Sequence, residues 1–83
     1  MALNLLIIEP NPLIRRTLHE FYSNSGDFSI IGKLHDASSA ERRTWGVVPD
    51  ILIFDVSDDC ENDIEALRSA FAGFYIPILF FSN

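Results

Sequence analysis

Three polar residues, Glu9, Asp55 and Ser82, each follow a run of four apolar residues in this sequence. Such runs are typical of buried parallel strands. In an open α/β sheet the carboxyl ends of strands meet at one crevice, so we expect the three side chains to lie close together. Carboxylate and carbonyl oxygens suit Mg²⁺, and a carboxylate beside a bound metal can attack a phosphoryl group. The pattern therefore predicts a metal and phosphoryl site with Asp55 as the nucleophile.

Size and composition predict one small domain that covers residues 1–83. Hydrophobic residues make up 48% of the chain, which is enough for a packed core and too apolar for a disordered segment. The net charge of −6 opposes phosphate backbones and anionic membranes, so we expect no direct nucleic-acid or membrane partner. Cys60 is the single cysteine, so no intrachain disulfide can form. The first apolar run is too short for a membrane span and lacks signal-peptide features, which predicts a soluble, cytoplasmic protein.

The elements that would position the site alternate between strands and helices in the order βαβαβαβ. The first strand is apolar on both faces and therefore predicts an interior position, whereas the second is interrupted by polar residues and predicts an edge. The strands are predicted at Leu3–Ile8, Phe28–Leu34, Ile51–Asp55 and Ile76–Phe81. This pattern predicts a three-layer α/β domain with right-handed crossovers.

Local signals predict three helices between these strands. Asn11 and Pro12 form a strong helix start, and Gly26 follows the end of this first helix near Asn24. Asp36 or Ser38 would cap a short second helix that runs through Trp45. The third helix is predicted to begin near Asn62, with Gly73 just past its end. The first helix would bury Ile14, Leu18, Phe21 and Tyr22 and leave Arg15, Arg16, His19 and Ser23 on its wetter side.

The sequence resembles the response-regulator receiver (CheY-like) family along its whole length. The segments that carry the resemblance are Leu5–Arg15, Ile30–Gly32, Pro49–Asp55, Ile64–Arg68 and Ile76–Ser82. They look most like receivers that precede a helix-turn-helix output domain. The resemblance implies a flavodoxin/CheY-like parallel sheet with strand order 2-1-3-4, in which the family's fifth β-α unit is lacking.

The resemblance also implies roles for individual residues. Asp55 matches the phospho-acceptor, and Glu9 matches the first of the family's paired acids. Ser57 matches the residue whose backbone carbonyl completes the metal site, and Ser82 matches the hydroxyl that contacts the phosphoryl group. Pro10 stands where the family has its second acid, so we expect Mg²⁺ to bind weakly.

Several residues near the predicted site have alternative interpretations. Glu9 is either a retained metal ligand or a solvated acid at a strand end. Ser82 is either a phosphoryl contact or a terminal polar residue. Asp58 or Asp59 would supply the missing carboxylate, or both belong to a solvated acidic loop, which we favour.

Two functions are compatible with these residues. The first is a degenerate receiver, or pseudo-receiver, that is not an enzyme and acts through protein-protein interaction. The second is an ordinary phospho-accepting receiver that uses Asp55 in a phosphorelay and is a fragment of a longer transcriptional regulator. Both imply a sensor histidine kinase or another regulator as a partner. A flavin-binding protein is disfavoured, because Pro10 and Pro12 lack the N–H groups that cradle a phosphate.

The fourth strand predicts self-association. Ile76, Ile78, Leu79, Phe80 and Phe81 make it apolar on both faces, as in an interior strand, and no charge blunts it. An edge of this composition exposes backbone groups and an apolar patch. We therefore expect a homodimer or higher assembly that buries this strand, by edge pairing or by packing of the sheet face.

Overall fold

The computed structural model describes residues 2–41, 46–55 and 60–81. For residues 41, 55, 60–62, 80 and 81 the description extends to the backbone alone. The elements in chain order are β1 (Leu3–Ile8), α1 (Pro12–Ser25), β2 (Phe28–Leu34), α2 (Ser38–Glu41), β3 (Ile51–Asp55), α3 (Cys60–Ala70) and β4 (Ile78–Phe81).

The strands form one parallel sheet in the order β2-β1-β3-β4, as the resemblance implied. Within the described residues β1 pairs with β2 and β3, so it lies inside the sheet, and β2 lies at an edge. The β1–β2 register shifts after Leu5, where Ile31 is the extra residue before Gly32. The polar interruptions of β2 thus correspond to an edge strand with a bulge.

Helices cover the sheet on two sides and give three layers. Leu5, Ile7 and Ile53 form a buried cluster with the inner residues of α1. Leu6 and Ile8 belong to a second cluster on the opposite face, which α2 and α3 cover. The alternation predicted for the first strand is therefore confirmed, and it separates the core into two halves.

The ends of α1 follow its sequence signals. The Asn11 side chain accepts hydrogen bonds from the backbone N–H groups of Leu13 and Ile14 at 2.9 and 3.4 Å, while Pro12 occupies the first helical position. Gly26 adopts a left-handed conformation with φ of 79° just past the helix end. The helix therefore runs one residue further than predicted, to Ser25.

The inner face of α1 is narrower than predicted. Leu18 and Tyr22 pack against the sheet, but Phe21 is largely exposed. Its ring contacts the Tyr22 ring edge to face, with the two ring centroids 5.0 Å apart. The prediction that Phe21 lies on the inner face was wrong. Successive residues of a helix are rotated by 100° about its axis, so Phe21 points away from the stripe that contains Tyr22 and packs on the sheet. Arg15 and His19 were placed on the wetter side, yet both are half-buried.

The other element ends differ modestly from the predictions. The α2 helix is described from Ser38 to Glu41, and the predicted extension to Trp45 lies outside the described residues. The α3 helix begins at Cys60 rather than Asn62. Ladder pairing of β4 starts at Ile78 rather than Ile76, because the Pro77 nitrogen carries no hydrogen for a ladder bond. The described helices include none that is both long enough and apolar enough to cross a bilayer.

Candidate functional site

The carboxyl ends of β1 and β3 bring Glu9 and Asp55 together. Ile8 pairs with Phe54 in parallel register, so the two acidic residues are the next positions on neighbouring strands. The backbone of Asp55 in turn pairs with Phe81 of β4. Ser57 and Ser82 lie outside the described residues, as do Asp58 and Asp59. The structure thus places two of the predicted residues at one edge of the sheet.

Glu9 is completely buried, with 0% of its surface exposed. Its Oε1 accepts a hydrogen bond from the Asn11 backbone N–H at 3.1 Å, and its own backbone N–H donates to the Leu34 carbonyl at 2.9 Å. A carboxyl group withdrawn from water in this way needs hydrogen-bond donors around it. The reading of Glu9 as a solvated strand-end acid is therefore wrong.

Arg15 is a site residue that the sequence reasoning missed. Its Nη1 donates a hydrogen bond of 2.8 Å to the backbone carbonyl of Glu9. The contact is possible because Arg15 lies one turn into α1, where Asn11 starts the helix directly after the strand end. No signal in the sequence predicts this contact, because Asn11 and Pro12 indicate where α1 begins and not how it is oriented relative to β1. Arg15 adds a fixed positive charge beside the buried acid.

Pro10 is exposed and supplies no carboxylate at the position between Glu9 and the helix cap. The carbonyl of Glu9 already accepts from Arg15, and its carboxyl already accepts from Asn11. Among the described residues no cluster of three or more His, Cys, Asp or Glu side chains could hold a metal ion. Pro10 thus offers Mg²⁺ no side-chain ligand at the position of the second acid, so the full acidic pair of the receiver family is not present.

Asp36 follows β2 and lies at the same edge of the sheet. Its Oδ1 accepts hydrogen bonds from the Ser39 hydroxyl at 2.6 Å, the Ser39 backbone N–H at 2.8 Å and the Ser38 hydroxyl at 3.2 Å. The bond from the Ser39 side chain is the main cause that lowers the pKa of Asp36 below its usual value of 3.8, and partial burial opposes it. This carboxylate is committed to capping α2.

Two of the five predicted association residues, Ile76 and Ile78, line an open groove between α3 and β4. This α3–β4 groove has a volume of about 580 Å³ and is lined mainly by apolar side chains, among them Leu67, Phe71, Ile76 and Ile78. Leu79 is not in its lining and is half exposed. Phe80 and Phe81 are described by their backbone alone. The groove beside β4 is thus mainly apolar, and the burial of β4 in an assembly stays a prediction.

Solved structures of similar shape identify the fold. The solution NMR structure of the response-regulator REC domain of PhyR from Erythrobacter litoralis aligns with 98% of this chain at a TM-score of 0.75 and 26% identity. The chain has a receiver-like fold. A MaeR response-regulator variant bound to sulfate, at 15% identity and a TM-score of 0.75 over 99% of the chain, agrees with this fold.

Sequence relatives of the receiver-like domain are larger proteins. A protein-glutamate methylesterase/protein-glutamine glutaminase of Oleidesulfovibrio alaskensis is 28% identical over 77 residues, or 93% of this chain. A protein of the same description from Vibrio cholerae is 24% identical over 83 residues. The chain spans 22% of the length of each of these relatives and 63% of the PhyR domain. No model of a protein family matches the chain.

Proposed function

We propose that this receiver-like domain is a two-component signalling module that acts mainly through self-association and not as an enzyme. The single observation that carries the proposal is the open α3–β4 groove, because its mainly apolar lining can receive an apolar side chain of a second copy. Tyr75 at its rim is 92% exposed, and Phe74 beside it is exposed as well. Aromatic side chains of this kind are enriched at protein-protein interfaces.

The geometry at the acidic edge supports a reduced role for phosphorylation. Pro10 supplies no carboxylate, and the Arg15 guanidinium already donates to the Glu9 carbonyl. A divalent cation approaching Glu9 would meet the positive charge of Arg15, and two like charges repel. Weak metal binding would slow any transfer of a phosphoryl group to Asp55, since the metal neutralises the charge of that group.

Light scattering over a range of protein concentrations, without any phosphoryl donor, tests the proposal. We expect species larger than one chain at micromolar concentrations, with or without Mg²⁺. Association should also survive in 0.5 M salt, because apolar contacts are not screened as surface charges are. A chain that stays monomeric across this range would contradict the proposal.

The second candidate is a phospho-accepting receiver that forms part of a longer regulator. The observation in its favour is the register of β1 and β3, which sets buried Glu9 beside Asp55 at the carboxyl edge. Acetyl phosphate with Mg²⁺ should then add the mass of one phosphoryl group, and hydroxylamine should remove it. Asp55→Asn is the matched control. A stoichiometric mass increase that this variant lacks would favour the second candidate over the first.

A further inference from the structure

The amino end of α1 folds back onto Glu9 and holds both its carboxyl group and its backbone carbonyl. The carboxyl Oε1 accepts a hydrogen bond from the Asn11 backbone N–H at 3.1 Å, and the carbonyl accepts one from Arg15 Nη1 at 2.8 Å. The Asn11 side chain in turn accepts from the Leu13 backbone N–H at 2.9 Å and caps the helix. The strand end and the first helical turn are thus tied together around a residue with no exposed surface.

Positive charge from α1 lies beside this buried acid. The amino end of a helix carries the partial positive charge of its unpaired N–H groups, and Glu9 accepts from the residue that caps that end. Arg15 adds a full positive charge within hydrogen-bond distance of the Glu9 carbonyl. Arg15 is half-buried, whereas Arg16 is exposed, so water screens the Arg15 charge less. A carboxylate withdrawn from water needs such compensation, and here the chain itself supplies it.

The same charge opposes a divalent cation at this edge. The carboxyl and the carbonyl of Glu9 belong to one residue, so a cation bound to that carboxyl would lie within about 10 Å of the guanidinium, the Debye length in roughly 0.1 M salt. Pro10 offers no side-chain ligand at the next position. The metal that the resemblance implies is therefore disfavoured here for two separate reasons, a missing ligand and a like charge.

We infer that the Arg15 guanidinium takes the place of the divalent cation at the acidic edge and serves as its permanent counter-charge. The inference rests on the part of the proposed function that gives phosphorylation a reduced role, and it is independent of self-association. The charge of Arg15, and not only the missing acid at position 10, then keeps the affinity for Mg²⁺ low. Removing this charge should strengthen Mg²⁺ binding without any new ligand.

Charge and hydrogen bonding at position 15 can be varied separately. Arg15→Gln removes the charge and keeps a side-chain N–H that can donate to the Glu9 carbonyl, whereas Arg15→Lys keeps the charge. Arg16→Gln is the matched control, because it makes the net charge of −6 more negative by the same amount at an exposed position outside the contact.

Titration with MgCl₂ at constant ionic strength, followed by backbone-amide chemical shifts, measures even weak binding. The Asn11 amide donates to Glu9 and therefore reports on the edge itself. We expect Arg15→Gln to bind Mg²⁺ about fivefold more tightly than the unchanged chain, because a like charge is removed. Arg15→Lys and Arg16→Gln should stay within about twofold of the unchanged chain.

A Pro10→Asp background repeats the comparison with an added carboxylate ligand. Adding Arg15→Gln to it should again strengthen Mg²⁺ binding about fivefold. Circular dichroism verifies the fold of each variant. If Arg15→Gln unfolds, citrulline introduced at position 15 by chemical synthesis takes its place, because citrulline keeps the N–H groups and lacks the charge.

The outcomes separate this inference from the proposed self-association. Equal Mg²⁺ affinity with and without the Arg15 charge, in both backgrounds, would overturn the inference, and the missing acid at position 10 alone would then limit binding. A gain that Arg16→Gln shares would reflect net charge and would overturn it as well. Neither result bears on association, which light scattering measures without Mg²⁺.

Discussion

The Arg15 guanidinium donates a hydrogen bond of 2.8 Å to the Glu9 backbone carbonyl at the acidic edge. A hydrogen bond from a charged donor contributes about 1.5–3 kcal/mol when it is well shielded, and Arg15 is half-buried. We expect Arg15→Gln to lower the free energy of unfolding by about 1–2 kcal/mol in urea denaturation. Arg16→Gln is the matched control, because its exposed pair with Glu20 contributes about 0.3–0.5 kcal/mol. An equal decrease in the free energy of unfolding in the two variants would contradict the role given to Arg15.

We expect Pro10 to limit how strongly the acidic edge binds a divalent cation. Replacing this exposed residue by Asp adds a carboxylate next to Glu9, and hard cations bind more tightly as the number of acidic ligands rises. Calorimetric titration should show weak Mg²⁺ binding to the unchanged chain and tighter binding to Pro10→Asp, by about tenfold or more. Pro10→Asn separates the effect of charge from the loss of the proline ring. Tight binding to the unchanged chain would show that other residues supply the missing ligand.

At the scale of single elements, the capping of α2 should make stability depend on pH. The folded-state pKa of Asp36 is lowered, first by the hydrogen bond from the Ser39 side chain, so the folded chain favours the ionised carboxylate. The stabilisation of the folded chain by ionised Asp36 is fully present above the unfolded-state pKa of about 3.9. It is lost as the pH falls through the lower pKa of the folded state. Ser39→Ala should therefore destabilise the chain more at pH 6 than at pH 2.5, measured by urea unfolding.

Ser23→Ala is the control for that experiment, because the Ser23 hydroxyl donates to the His19 carbonyl, which does not titrate. Its effect on stability should be the same at both pH values. If Ser39→Ala lowers the free energy of unfolding equally at both pH values, Asp36 does not supply the acid sensitivity.

The elements differ in how far the sequence determines them. Asn11 and Gly26 set the ends of α1 through backbone geometry that depends on neighbouring residues, so these limits were predicted to within one residue. The burial of Phe21 was mispredicted because helical spacing does not reveal how wide a stripe the sheet covers. The start of β4 was predicted two residues too early, although the missing N–H of Pro77 is a signal in the sequence for this limit.

At the scale of the whole molecule, the meeting of Glu9 with Asp55 was predictable, because the carboxyl ends of parallel strands share one edge of the sheet. The sheet order followed from the resemblance to the receiver family. The burial of Glu9 and its contact with Arg15 were not predictable from the sequence. They arise from the way α1 turns back over the end of β1, which no pattern of residue types specifies. The roles given to Asp55, Ser57 and Ser82 stay predictions.

Asp55 and the α3–β4 groove lie on different parts of the molecule. Asp55 ends β3 at the carboxyl edge of the sheet, whereas the α3–β4 groove is lined by Leu52 near the start of β3 and by Ile76 before β4. A neutral substitution at the edge should therefore leave assembly unchanged. We expect Asp55→Asn to keep the same circular dichroism spectrum and to associate within twofold of the unchanged chain in sedimentation equilibrium. Tyr75→Asp, measured alongside, should lose association. If Asp55→Asn dissociates the assembly while remaining folded, the carboxyl edge and the groove are coupled, and phosphorylation rather than constitutive contact would govern the function.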